Sequence, residues 1–317
     1  MCILLTTTEH PDYPLVVLSN RDEFFKRRTG LAAYRVLDNH TKVLAPLDLG
    51  RPEHGTWIGV TTTGKLAVLL NYREEDQANL VSEVSRGIIP LEYLQSTESD
   101  EDWVSNIEKS LAEKSINKKD PVTLRKIGGF SFVYGQLSID DSSNKIKPLN
   151  ILSNRGDRGR VHVEKKSVGE IEDTEHQTTF GLSNSLFYDP WPKVKRGEKL
   201  LSDAVNHAVV NRLSTDEFVN SCLDVLSTNT FDMKVANDQS IDFVTKSREL
   251  RNSIFIPPLA TEMSKLNIDT MGKYYGTRTQ TVILLSKSGV LHYYERNLHD
   301  TDTTEEDLQI RHFEFSI

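Results

Sequence analysis

The residue best suited to covalent chemistry is Cys2, which directly follows the initiator methionine. The initiator methionine is normally removed when the next residue is as small as cysteine, and the chain would then begin with a thiol and a free α-amine on one residue. The amine has a reference pKa of about 8 and the thiol of about 8.5, so each can exchange a proton with the other near neutral pH. Because an amine at the chain start can serve as the base for the nucleophile beside it, this start indicates an N-terminal nucleophile.

Two short β-prone runs, at residues 2–8 and 14–19, would bring charged side chains to this thiol. A proline and an aspartate mark a turn between the runs, so an antiparallel hairpin would place Cys2 opposite Arg21 or Asp22. Directly opposed residues share one face of a sheet, and successive residues of one strand point to opposite faces. A guanidinium or a carboxylate could therefore tune the protonation of the thiol and the amine. The hairpin leaves Arg21 and Asp22 as alternatives for that role.

The segment with both alternatives reads Ser-Asn-Arg-Asp-Glu-Phe-Phe at residues 19–25 and, with the Met-Cys start, resembles the NRDE, or transport and Golgi organisation, family. By fold this family is grouped with the N-terminal-nucleophile (Ntn) hydrolases, in the branch of bile-salt hydrolases, penicillin V acylases and acid-ceramidase-like amidases. The resemblance therefore implies an α+β fold, an Ntn-hydrolase-like four-layer αββα sandwich of mostly antiparallel sheets. Further segments that resemble the family follow in the expected order at residues 55–60, 70–74, 85–87, 181–184 and 275–282.

The resemblance also implies roles for polar residues near strand ends. Asn71 follows an apolar strand, and in the related amidases an asparagine at such a place helps to form the oxyanion hole. Asn184 resembles the asparagine that borders the nucleophile in the same enzymes. Those enzymes carry Arg-Asn-x-Asp where this chain has Ser-Asn-Arg-Asp, so the role of their arginine does not carry over to Arg21. By its residue type, Arg278 at a strand entrance is a candidate for binding an anionic group.

These site residues fit two functions of different classes. The resemblance implies a cytosolic protein linked to Golgi organisation and secretory traffic, which handles haem or acyl lipids through an Ntn-type pocket at Cys2. The alternative is an amidohydrolase for a non-peptide carbon–nitrogen bond, in which Cys2 attacks the carbonyl, Asp22 orients the terminus, and Asn71 and Asn184 hold the oxyanion. Hydrolysis would require no cofactor and no metal. Haem would be a ligand or cargo, and acyl-CoA or an acyl amide are the other small-molecule ligands expected.

Composition narrows the partners and the compartment. The net charge of -8 over 317 residues argues against a nucleic-acid-binding face, which would be basic. The two cysteines, Cys2 and Cys222, cannot form a disulfide framework, which is typical of a reducing compartment. No apolar stretch approaches the length of a transmembrane segment. We therefore expect a cytoplasmic protein, for which peripheral association with a membrane, at the Golgi or mitochondria, is compatible with the sequence.

Hydrophobic periodicity predicts strands first, helices in the middle and a mixed end. This order suits a sheet sandwich covered by helices better than an alternating parallel sheet. We expect one domain over residues 1–317, with a surface insertion near 136–172. Besides the first hairpin, the predicted elements are hairpins at 57–70 and 282–294, a buried strand at 128–135, and helices at 76–97, 101–115, 194–210 and 215–227.

Overall fold

The computed structural model describes residues 1–37, 40–74, 84–115, 119–140, 142–156, 158–162, 178–238, 240–261 and 272–317. The strands in these ranges are Ile3–Thr7 (β1), Leu15–Phe24 (β2), Thr29–Val36 (β3), Lys42–Asp48 (β4), Ile58–Thr61 (β5), Lys65–Asn71 (β6), Phe130–Gln136 (β7), Leu149–Ser153 (β8), Gly159–Val161 (β9), Thr179–Leu182 (β10), Leu259–Ala260 (β11), Tyr274–Leu285 (β12), Val290–Asn297 (β13) and Ile310–Ser316 (β14). The α-helices are Ile88–Gln95 (α1), Asp100–Lys114 (α2), Pro192–Asn211 (α3), Thr215–Leu226 (α4), Met233–Asn237 (α5) and Phe243–Lys246 (α6).

The strands form two antiparallel sheets. Sheet A runs in the order β10-β1-β2-β12-β13-β14, with the short β11 paired to β12. Sheet B follows chain order from β3 to β9. Strand β2 is therefore central in sheet A, between the first strand of the chain and the long β12, and its first eight residues are buried. This central position brings the end of β2 into the interior, where its charged residues need partners.

Alternation of side chains along the strands produces the layers. Leu4, Val17 and Ile283 of sheet A pack with Val60 and Val133 of sheet B in one core between the sheets. The opposite face of sheet A packs against α3 and α4, and the opposite face of sheet B packs against α1 and α2. The predicted four-layer αββα sandwich of antiparallel sheets is therefore confirmed.

The pairing of β1 with β2 confirms the predicted first hairpin. Ile3 lies opposite Asn20, so the next residue outward, Cys2, comes beside Arg21. On its other side β2 pairs with β12, and that register shifts between Thr277 and Thr279, which makes Arg278 the extra residue of a β-bulge.

The helix predicted over residues 76–97 begins later than expected. Residues 76–83 lie outside the described part, and residues 84–87 are not helical, so α1 begins at Ile88. The backbones of Gly55 and Gly87 pass close to each other. A Cβ added at Gly55 would lie only 2.5 Å from the carbonyl carbon of Gly87. The amide of Thr56 donates to the Gly87 carbonyl oxygen at 3.0 Å. This close crossing holds the turn before α1 against sheet B.

The predicted surface insertion at 136–172 overlaps sheet B. Its described part includes β8, which pairs with β7, and β9, which pairs with β8. Residues 141, 157 and 163–172 of the insertion lie outside the described part, so the domain boundaries stay a prediction. Across the described residues, no helix has both the length and the apolar character needed to cross a membrane.

Candidate active site

A cavity of about 350 Å³ opens where β2 leaves the interior. Cys2, Arg21 and Asp22 line it from sheet A, while Trp57 and Asn71 line it from sheet B. The two sheets separate at this end of the sandwich, so side chains from both reach one space. Four of the six predicted site residues therefore meet in one cavity.

Asp22 is the buried carboxylate of this cluster. The α-amino nitrogen of Met1 lies 3.1 Å from one of its oxygens, and the Thr277 hydroxyl donates to the other at 2.8 Å. The amino group also donates to the Tyr275 hydroxyl oxygen. Since Asp22 lies opposite Thr277 in the sheet, the strand pairing itself brings these groups together. Asp22 is thus the residue that orients the chain start.

Lys193 completes this cluster and was not predicted. Its side chain is fully buried, donates to the Met1 carbonyl oxygen at 2.6 Å, and lies 3.8 Å from Asp22. The helix α3 that carries it approaches β1 closely, because a Cβ added at Gly197 would lie 2.7 Å from Leu5. A lysine four residues before Gly197 is on the buried stripe of α3, and that position was the signal available in the sequence.

Burial governs the protonation of this cluster. It lowers the pKa of the Met1 amino group, although the nearby Asp22 carboxylate opposes this effect. It also lowers the pKa of Lys193, again against Asp22. Burial raises the pKa of the Cys2 thiol, and the positive chain terminus opposes that rise. While Met1 is present the Cys2 nitrogen is an amide, so the thiol has no base of its own.

Arg21 points to the opposite face of β2. Its guanidinium carbon lies 4.2 Å from the centroid of the Trp57 ring, a stacked cation–π arrangement. It also forms an ion pair with Glu23 at 3.5 Å and donates to the Thr29 hydroxyl at 3.4 Å. The hairpin left Arg21 and Asp22 as alternative neighbours of the chain start, and the structure puts them on opposite faces of β2. Asp22 contacts the chain start on the helix side of sheet A, whereas Arg21 lies between the two sheets.

Asn71 and Asn184 are neighbours, as the resemblance implied. The Asn184 side-chain nitrogen donates to the backbone oxygen of Asn71 at 2.5 Å, and the Arg73 amide donates to the Asn184 carbonyl oxygen at 2.9 Å. The adjacent Ser183 hydroxyl donates to the Cys2 carbonyl oxygen at 2.7 Å. These bonds tie the end of β6 and the end of β10 to the chain start. The oxyanion role of both asparagines stays a prediction.

Arg278 has a different place from the one expected. The residue is 2% exposed, and its guanidinium donates to the carbonyl oxygen of His299 at 2.8 Å and also to the carbonyl oxygens of Phe24 and Arg27. The bulge in β12 turns this side chain toward the loops that follow β2 and β13. The structure therefore gives Arg278 the role of joining loops instead of binding an anionic group in the cavity.

We expect Arg278→Lys to destabilise the fold by about 2 kcal/mol, because a lysine cannot donate to three carbonyl oxygens in a fixed fork. Urea unfolding measures this change, and the exposed Arg125→Lys is the matched control. The rate at which iodoacetamide alkylates Cys2 in the folded protein should stay the same. A slower alkylation with unchanged stability would contradict the structural role.

Comparison with known proteins agrees with the motifs of the chain. A sequence model of the family described as Transport and Golgi organisation 2 matches residues 1–300. An uncharacterized protein of Saccharomyces cerevisiae is 30% identical over 95% of this chain and 93% of its own length. The human Transport and Golgi organization protein 2 homolog is 28% identical over 96% of this chain and 93% of its own length.

Among solved structures, a mutant conjugated bile acid hydrolase from Clostridium perfringens aligns with a TM-score of 0.40 and 12% identity, covering 99% of this chain and 92% of that one. The family assignment rests on the sequence match, which extends from the Met-Cys start through β12 and β13. The chain therefore belongs to the Transport and Golgi organisation 2 family, as its motifs predicted.

Proposed function

We propose that the protein is an amidohydrolase with Cys2 as its N-terminal nucleophile, acting on a non-peptide carbon–nitrogen bond. One observation carries this proposal: Cys2 lines a cavity, and behind it a carboxylate and a lysine are buried at the chain start. Burying such charges is costly, and ionisable groups in a cleft often serve a reaction. Asp22 and Lys193 contact the amino nitrogen and the carbonyl oxygen of Met1, so they lie beside the place where the α-amine of Cys2 would form.

Removal of Met1 is the step that activates this site. It converts the Cys2 amide nitrogen into an α-amine and takes away the Met1 carbonyl oxygen that Lys193 contacts, which frees the Lys193 amino group. The amine takes the thiol proton as sulfur bonds to the acyl carbon of the ligand. The carbon–nitrogen bond then breaks, and the leaving amine takes that proton. Water hydrolyses the thioester, which releases the acid and restores the thiol.

The surroundings suit a small acyl ligand. A cavity of about 350 Å³ is at the lower end of the range for ligand pockets, so it would hold a small molecule or one end of a longer one. Asn184 has a second side-chain N–H besides the one given to Asn71, and this donor is the one the oxyanion role would use. The mechanism requires no metal and no cofactor.

A second candidate function is carriage of haem, acyl-CoA or another acyl lipid in Golgi organisation or secretory traffic. The observation that favours it is a group of arginines in the cavity wall, where Arg21 and Arg86 lie beside the apolar Trp57 and Leu69, and where the carboxylates of Glu23 and Asp48 offset part of the positive charge. Guanidinium groups suit the carboxylates of haem or the phosphates of acyl-CoA, and a Cys2 thiolate could be an axial ligand to haem. This second function would require a cytoplasmic protein that associates with the Golgi or mitochondria.

The first experiment measures the intact mass of the purified protein before and after brief treatment with iodoacetamide. We expect loss of Met1 and rapid alkylation at one site, Cys2. Cys222 is the internal control, because it is buried in α4 and burial raises its pKa far above the usual value. The same protein is then assayed for hydrolysis of a panel of fatty-acyl and aryl-acyl amides, and Cys2→Ala should reduce the rate at least about 1,000-fold.

The outcome separates the two candidates. Hydrolysis that persists in Cys2→Ala, or its absence in protein that lacks Met1 and alkylates rapidly, would contradict the amidohydrolase. Tight binding of haem or acyl-CoA to the unaltered protein, with no hydrolysis by the same protein, would support carriage. A charge-reversing Arg86→Glu variant should then weaken that binding, while the exposed Arg125→Glu should leave it unchanged.

A further inference from the structure

We propose that His292, His312 and Glu314 bind one divalent transition-metal ion of the Zn²⁺ class on sheet A, at its outer edge. Strands β13 and β14 pair so that His292 lies opposite Glu314 and Tyr294 lies opposite His312. Side chains at these positions share one face of the two strands. Two imidazoles and a carboxylate thus converge from strands that are neighbours in the sheet.

The distances between the ligand atoms suit a tetrahedral ion. His292 Nδ1 lies 3.4 Å from His312 Nε2 and 3.2 Å from a carboxylate oxygen of Glu314, and all three atoms lie within 4.8 Å of one another. Zinc binds nitrogen and carboxylate oxygen at about 2.0–2.2 Å, so the ligand atoms of a tetrahedral site are about 3.3–3.5 Å apart. The two distances from His292 Nδ1, 3.4 and 3.2 Å, lie within about 0.1 Å of that range.

Hydrogen bonding alone accounts poorly for this arrangement. A ring nitrogen carries either one proton or one lone pair, so His292 Nδ1 cannot donate fully to His312 and to Glu314 together. A metal ion accepts a lone pair from each of the three groups at once. The His292 and His312 rings stack with centroids 5.6 Å apart, and a cation bound at the ring nitrogens would satisfy both imidazoles and the carboxylate at once.

The surrounding side chains fix the geometry. The Tyr294 ring stacks on the His312 ring with centroids 4.2 Å apart and an interplanar angle of 2°. Tyr294 is itself buried against the helix layer, so it holds the His312 ring in one orientation. His292 is half-buried, with 18% of its side chain exposed, whereas His312 and Glu314 are both exposed to solvent. Three protein ligands leave a fourth position for water.

The bound ion would fasten the last strand. Strand β14 is at the edge of sheet A, and its residues alternate between exposed and half-buried. An ion held by His292 on β13 and by two residues of β14 would join the strands in addition to their backbone hydrogen bonds. Imidazole ligands favour zinc, copper and nickel over magnesium and calcium, so we expect the site not to bind Mg²⁺ or Ca²⁺.

The test uses full-length protein without a histidine tag, freed of metal by a chelator and then titrated with Zn²⁺. Calorimetry should show one strong site, Co²⁺ should give the visible spectrum of a low-symmetry site, and Zn²⁺ should raise Tm. We expect Zn²⁺ binding to weaken about 100-fold or more in each of His292→Ala, His312→Ala and Glu314→Gln. Replacing a residue that only hydrogen-bonds to a metal ligand already costs about 10–100-fold in metal affinity, so the loss of a ligand should cost at least as much. His207→Ala, on the exposed side of α3, is the control and should bind as the unaltered protein does.

The result is decisive in either direction. Zn²⁺ binding that all three variants retain, or a Tm that Zn²⁺ does not change in the unaltered protein, would overturn the proposal. Glu314→Gln keeps the size of an exposed side chain, so its loss of binding would not reflect misfolding. The readouts are binding and stability, so they are independent of whether Cys2 is a nucleophile.

Discussion

Asp22→Asn should lower the free energy of unfolding at pH 7 by about 3–5 kcal/mol, as expected when one member of a buried ion cluster is removed. The amide can still accept from Thr277, but it leaves the Met1 amino group and Lys193 buried without a negative partner. Urea unfolding of the single variant measures the loss. If the purified protein lacks Met1, the same carboxylate would balance the new α-amine of Cys2.

A double-mutant cycle with Lys193→Met identifies the cause. When the lysine is also replaced, the uncompensated positive charge is gone, so Asp22→Asn should cost less in that background. Asp12→Asn is the matched control, since Asp12 is 77% exposed in a surface ion pair with Lys287, and it should cost less than about 1 kcal/mol. Additive effects of Asp22→Asn and Lys193→Met would show that the two side chains do not interact as the structure has them.

Glu295→Gln should change how stability depends on pH. Glu295 is 1% exposed between the sheets, one of its oxygens accepts from the Ala32 amide at 2.8 Å, and Arg311 lies 3.9 Å away. Burial raises its pKa from the usual 4.5 to about 7. The folded state therefore holds a proton that the unfolded state releases, so this contribution to stability is complete below pH 4.5 and is lost as the pH rises to 7.

A shift from 4.5 to about 7 corresponds to about 3 kcal/mol between the two ends of that range. Glutamine is always neutral and can still accept from Ala32, so the variant should gain stability relative to the unaltered protein between pH 4.5 and 8. Urea unfolding at several pH values gives both curves, and the exposed Glu108→Gln on α2 is the control. Parallel curves for Glu295→Gln and the unaltered protein would exclude a buried neutral carboxyl at this position.

Local pattern was sufficient for the elements that surround the site. The two β-prone runs and the turn between them predicted the first hairpin with Cys2 opposite Arg21 or Asp22, and the observed register puts Cys2 beside Arg21. The same alternation placed Arg21 and Asp22 on opposite faces of β2. The motifs along the chain identified the family and, through it, the four-layer sandwich. The start of α1 was predicted less well, because the helix begins at Ile88, directly after the close contact of Gly87 with Gly55.

The sequence by itself determined the hairpin at the chain start and, through its motifs, the family. Only the tertiary structure decided which charges meet there. Lys193 comes from a helix almost two hundred residues away, and its burial beside Asp22 depends on how closely α3 packs on β1. Arg278 leaves the cavity because a bulge in β12 turns it away. Periodicity reports the face of an element on which a residue lies, whereas the neighbour it meets depends on packing between elements that are distant in the chain.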